Sequence, residues 1–205
     1  MALIHDAALR PTKLELLATW LPGQPWFSGD ASTLVRVASF RYDDPAGEVG
    51  IETLLVRVDG GPVLQVPLTY RAAPLPGAAL IGTMDHSVLG QRWAYDACTD
   101  PVYVAALAGA LLAGAPQAAQ VREIDGELVA LPESVAVTGS GEPGTPVPVI
   151  DAVSASTVDG VTTVSAGALT LSVHRLPQAA AVVVPHSLTA TTGESGTPLL
   201  LATVG

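Results

Sequence analysis

The chain has 205 residues, 49% of them hydrophobic, enough for one generous domain or two small ones with a buried core. Nine Lys and Arg face nineteen Asp and Glu, a formal charge of −10, and this excludes a nucleic-acid binder, which needs clustered bases. Lys13 is the only lysine, and one cysteine, Cys98, excludes a disulfide framework and a Cys-based zinc site.

Met1-Ala-Leu-Ile-His-Asp6 lacks a basic region followed by an apolar run, so no secretory leader is expected. Thr12-Lys-Leu-Glu15 has the capping-box pattern, a hydroxyl at the N-cap and a carboxylate three residues on. Leu14, Leu17, Ala18 and Leu21 then share one helical face, and Pro22-Gly23 stops the helix. Strands are predicted over 34–42, 48–58 and 63–70, with a turn cluster at 43–47. Asp59-Gly60-Gly61 between two β-branched runs signals a hairpin, because glycine accepts the positive φ such turns need. A further strand is expected at 92–96. Thr99-Asp100-Pro101 starts a second helix over 101–113, with Gly114 suited to its C-terminal cap.

Beyond residue 103 the composition changes. All nine aromatic residues precede residue 104, and only Arg122 and Arg175 supply positive charge afterwards. This part reads as all β, with strands over 127–131, 134–137, 147–156, 161–165, 169–175, 181–191 and 198–204. Asp125-Gly126 and Asp159-Gly160 read as hairpin turns, and 139–146 as a turn-rich connection. Two units are expected, 1–118 and 119–205. The 14-residue apolar stretch 102–115 is shorter than the roughly 20 residues that span a bilayer. With a mean hydropathy of +0.44 spread over alternating segments, a cytoplasmic protein with no membrane contact is expected.

Signals for chemistry are sparse. Gly139-Ser-Gly-Glu-Pro-Gly144 has no lysine with which to neutralise a phosphate and carries Glu142, so it reads as a loop. His5, His86, His174 and His186 show no paired spacing, and no metal is expected. Asp85-His86-Ser87 reads as a polar turn, since adjacent residues do not form a triad by themselves. Asp43-Asp44 sits in a turn and Asp96/Asp100 flank a helix start. Glu48 and Glu52 fall on one side of a strand, read as the solvent side. Trp20, Trp26, Phe27 and Trp93 are read as core aromatics, with stacking on sugar rings as the other role for such side chains.

Three segments in order carry a family resemblance. Trp20-Leu-Pro-Gly-Gln-Pro-Trp-Phe-Ser-Gly29 resembles the W-L-P-x-Q-R-W-F/Y-x-G-K signature near the start of bacterial maltokinases. Leu64-Gln-Val-Pro-Leu-Thr-Tyr-Arg71 resembles their Y-x-V-P-L strand, and Ala94-Tyr-Asp-Ala-Cys-Thr-Asp-Pro101 their V-Y-D-A-x-x-D-P helix start. The resemblance is to the maltokinase N-terminal cap, above all to a stand-alone actinobacterial group related to the N-terminal lobe of maltokinase and glucosamine kinase. It implies an α+β fold: a cystatin-like cap, a curved antiparallel sheet with helices, over 1–118. A second antiparallel β-rich subdomain over 119–205 would be a counterpart of the kinase intermediate subdomain.

The departures shape the functional expectation. Nothing matches the kinase phosphate loop, and Leu171 stands where the resemblance would place the ATP lysine. Pro25 and Asp30 replace basic residues of the signature, and the sequence stops at Gly205, ahead of any catalytic lobe. The expectation is therefore a non-catalytic accessory protein of carbohydrate metabolism, with no catalytic residues and no cofactor. It would act on a protein partner, a sugar kinase or an α-glucan enzyme, through edge strands and a groove between the two sheets. The alternatives are a binding module for a sugar or sugar phosphate and a remnant or subunit of a sugar kinase. Trp26, Arg41, Arg71 and Tyr95 are the candidate ligand or partner residues.

Overall fold

Two short strands, β1 (Ala2–Leu3) and β2 (Leu9–Arg10), lead into helix α1 (Lys13–Trp20) in the computed structural model, which describes residues 1–205 except 5, 125, 181, 183, 194 and 195. Thr12 caps the helix as its sequence predicts. Its Oγ1 accepts from the Glu15 amide at 3.3 Å, and Glu15 Oε2 accepts from the Thr12 amide at 2.8 Å. Strands β3 (Val35–Tyr42), β4 (Gly50–Arg57), β5 (Leu64–Arg71), β6 (Leu80–His86) and β7 (Gly90–Asp96) follow. With β2 they form a six-stranded antiparallel sheet in the order β2-β6-β7-β5-β4-β3. The hairpin signal between β4 and β5 holds: Asp59 and Gly60 have φ of 50° and 66°. Strand β6 was not legible beforehand, since Gly82 and Asp85 interrupt its apolar pattern. At Gly82 the sheet lies against α1, where an added Cβ would meet Leu16 at 2.8 Å.

Helix α2 (Pro101–Ala113) has the predicted ends. Asp100 accepts from the Val102 amide at 3.0 Å, Pro101 occupies the first turn, and Gly114 takes the left-handed conformation at φ 65°. The remaining strands are β8 (Gln120–Ile124), β9 (Glu127–Ala130), β10 (Val135–Gly139), β11 (Ser154–Val158), β12 (Val161–Ala166), β13 (Leu169–His174), β14 (Ser187–Thr192) and β15 (Leu199–Val204). The last six form a second antiparallel sheet in the order β10-β14-β15-β13-β12-β11. A small sheet, β1-β8-β9, pairs the N-terminal arm in parallel with β8.

Two strand expectations need correction. Residues 147–153 are irregular and the strand begins only at Ser154, because Pro146 and Pro148 have no amide hydrogen for a ladder. The strand expected over 181–191 starts at Ser187, after Pro185 and a positive φ of 53° at His186; the start expected at residue 181 lies outside the described residues. Asp159 and Gly160 make the predicted turn, with φ of 48° and 75°. Asp125 of the other predicted turn is outside the described residues, although its flanking strands pair as a hairpin.

The architecture is α+β, with two cores. Leu16, Leu17 and Leu21 pack with Trp26 on the face of the first sheet formed by Leu54, Val56, Val66 and Leu68. The opposite face, through Phe40, Ile51 and Leu55, shares one continuous core with Val104, Leu107 and Leu111 of α2 and with Val164, Leu171, Val173 and Leu201 of the second sheet. The groove expected between the sheets is therefore packed with side chains, because their inner faces and α2 bury the same apolar surface. Among the described residues no helix is long and apolar enough to cross a membrane.

Candidate functional site

A cavity lies on the α1 face of the first sheet, under the N-terminal arm. It has a volume of about 650 Å³, and Leu3, Lys13, Arg41, Tyr70, His86 and Arg92 are among its lining residues. Cavities of this size hold small organic ligands.

Its floor is an ionic cluster around Glu52. Strand β4 is buried on both faces, so alternation alone does not expose its charged residue. Glu52 points to the same side as Leu54 and Val56 and is only 3% exposed. Opposite it on β3 stands Arg41, whose guanidinium lies 3.3 Å from the Glu52 carboxylate. Lys13, at the first position of α1, donates to Glu52 at 2.5 Å. Tyr70 Oη donates to the same oxygen at 2.9 Å, and the Lys13 ammonium lies 5.3 Å from the Tyr70 ring centre. Burial by itself would raise the Glu52 pKa; the charges of Lys13 and Arg41, with the hydrogen bonds from Lys13 and Tyr70, override it and hold the group at about 2. Burial drives the Tyr70 hydroxyl well above its ordinary value, and the Glu52 anion adds to the shift. The reading of Glu52 as solvent-facing is thus corrected. The consecutive apolar residues Leu54-Leu55-Val56 that follow it were the signal for a strand covered on both sides.

The rim comes from the β3–β4 turn and the β6–β7 hairpin. Asp44 accepts from the amides of Ala46, Glu48 and Val49 at 2.9–3.0 Å, which fixes the turn beside Asp43 and Glu48. His86 Nδ1 accepts from the Val88 and Leu89 amides at 3.2 and 3.1 Å, and Ser87 exchanges hydrogen bonds with the backbone of Ala8. The Asp85-His86-Ser87 segment therefore ends a strand, turns the hairpin and anchors the arm. The cations on the floor, with carboxylates on the rim, can hold a polyhydroxylated or anionic small molecule.

The four candidate residues do not converge. Arg41 lines the cavity. Trp26 is buried in the α1-side core, edge-to-face with Trp20 at 6.1 Å and under the Arg175 guanidinium at 5.5 Å. Arg71 projects from the other face of β5 and forks onto Asp100 at 2.8 and 2.7 Å, bracing the cap of α2. Tyr95, 2% exposed, uses its hydroxyl to accept the Leu75 amide at 2.7 Å. Burial raises the Cys98 pKa, so the thiol is not the activated kind. Among the described residues, no group of three His, Cys, Asp or Glu is placed to hold a metal.

The glycine-rich stretch has a packing role. A Cβ on Gly139 would stand 2.1 Å from the Ala110 carbonyl oxygen, and one on Gly141 2.3 Å from the Leu112 carbonyl carbon. The Glu142 amide donates to Leu112 O at 3.0 Å. These glycines let the chain lie directly on the C-terminal turn of α2.

No curated protein matches the chain. Residues 20–100, from the end of α1 to the residue that caps α2, match the family model of the maltokinase N-terminal cap domain.

Proposed function

We propose that this chain is a non-catalytic accessory protein of carbohydrate metabolism, acting in the cytoplasm through contact with a sugar kinase or an α-glucan enzyme. The observation that carries the reading is the match of residues 20–100 to a domain that caps a sugar kinase. In this reading residues 1–118 are a cystatin-like cap, supported by α1 packed on an antiparallel sheet, and 119–205 are the β-rich counterpart of the intermediate subdomain. The contact surface is the β8–β9 hairpin. Strand β9 ends its sheet, all its residues are exposed, and Leu128 and Val129 stand 56% and 41% exposed beside Ile124 at 48%. Size-exclusion chromatography of the chain mixed with a purified sugar kinase or α-glucan enzyme tests this. A co-eluting complex that Leu128→Lys with Val129→Lys abolishes is expected; independent elution from every such enzyme argues against it.

A second reading, a binding module for a sugar or sugar phosphate, is favoured by the cavity over Lys13, Arg41 and Tyr70. Calorimetric titration with neutral sugars and their phosphates tests it. Saturable heats weakened by Arg92→Gln are expected, and flat titrations remove the reading.

A further inference from the structure

A second cavity, of about 340 Å³, lies on the other side of the N-terminal arm, and Ile4 lines both. Its polar lining is Arg36, Ser39, Gln120, Arg122 and Ser134, with no carboxylate among the described residues that face it. The neighbouring acids Glu123 and Glu133 are exposed and are not part of the lining.

This lining is unusual for a chain of net charge −10. Four other bases are ion-paired: Lys13 and Arg41 with Glu52, Arg71 with Asp100, Arg175 with Asp96. Arg36 and Arg122 have no ion pair and no side-chain hydrogen bond among the described residues, and Arg122 Nε is buried without an acceptor. Buried donors are almost always satisfied, so an unfilled one on a cavity wall points to an acceptor from outside the chain. The backbone brings the two together. The register of β3 shifts between Arg36 and Ala38, a bulge of the kind that re-aims side chains, and Arg122 comes from β8 of the small sheet. Two guanidinium forks on one cavity, with the Ser39 hydroxyl and the Gln120 amide in the same lining, suit a compact oxyanion with several acceptor oxygens.

We propose that the cleft between Arg36 and Arg122 binds a phosphate group, either free or carried by a small molecule. The inference does not depend on the larger cavity taking a sugar. It is tested on the full chain by titration with inorganic phosphate at low ionic strength, followed by calorimetry and amide chemical shifts. Saturable binding is expected, with shifts centred on Ser39, Gln120 and Ser134. Arg36→Gln and Arg122→Gln should each weaken it about tenfold or more, as loss of a charged hydrogen-bonding partner does. Arg36 is exposed, so its replacement leaves the fold intact even if that of Arg122 does not. Arg10→Gln, exposed and in neither cavity, should leave phosphate affinity within about twofold. A hexose monophosphate binding no more tightly than phosphate identifies the free anion as the ligand; tighter binding, still lost in Arg36→Gln, identifies a phosphorylated small molecule. No saturable response to either, or equal binding by Arg36→Gln, overturns the proposal. Binding of a neutral hexose that ignores Arg36 and Arg122, without phosphate binding, overturns it while leaving the larger-cavity reading in place.

Discussion

Arg175 and Asp96, 79 residues apart, join the two sheets by a forked ion pair: one terminal nitrogen of Arg175 lies 2.9 and 2.7 Å from the two carboxylate oxygens. The arginine is fully buried, its Nε donates to Thr162 at 2.7 Å, and its guanidinium covers Trp26. Beside it, Gln65 donates through its amide group to the carbonyls of His174 and Leu201. The junction is thus polar at this point and apolar around α2.

Arg175→Ala should lower unfolding free energy by about 3–5 kcal/mol, since it strands Asp96 and removes the cover of Trp26. Urea denaturation checks this. Asp96→Asn with Arg175→Ala should cost less than the sum of the two single changes, because each removes the same contact.

The cavity floor makes stability depend on acid. The Glu52 pKa falls from its ordinary 4.5 to about 2 on folding. A depressed carboxylate contributes stability that is fully present above the unfolded-state value and is lost as pH falls toward the folded-state value. The window is therefore about pH 4.5 down to about 2, and the contribution is about 3 kcal/mol. Denaturation midpoints measured across that range should fall more steeply for the native chain than for Glu52→Gln. At neutral pH Glu52→Gln should already be destabilised by about 3 kcal/mol, with Lys13 and Arg41 left uncompensated.

Gly141→Ala should destabilise by about 3 kcal/mol, the upper end for overpacking, because the added carbon meets helix backbone, which does not rotate away. Gly23, with nothing within 4 Å of an added Cβ, serves as the control, and its alanine variant should keep the parent melting temperature within a degree or so.

Cys98 has no exposed surface and burial raises its pKa. Its alkylation by iodoacetamide near pH 8 should proceed only through unfolding and accelerate with urea in parallel with the unfolded fraction. Rapid modification of the native chain would contradict this environment.

Local chemistry made much of this molecule legible in advance. Asp100, Pro101 and Gly114 define both ends of α2, Thr12 and Glu15 start α1, and Asp59-Gly60 and Asp159-Gly160 turn their hairpins, because caps and tight turns depend on a few adjacent residues. The candidate site was legible only through Arg41. Trp26, Arg71 and Tyr95 are taken up by the core, the α2 cap and a loop amide. The burial of Glu52, the Arg175–Asp96 pair and the cavities on either side of the arm were decided by the tertiary structure alone. Each depends on which face of a strand is covered and by what, and that is set by contacts between segments far apart in the chain, where side-chain alternation names two faces without saying which is wet.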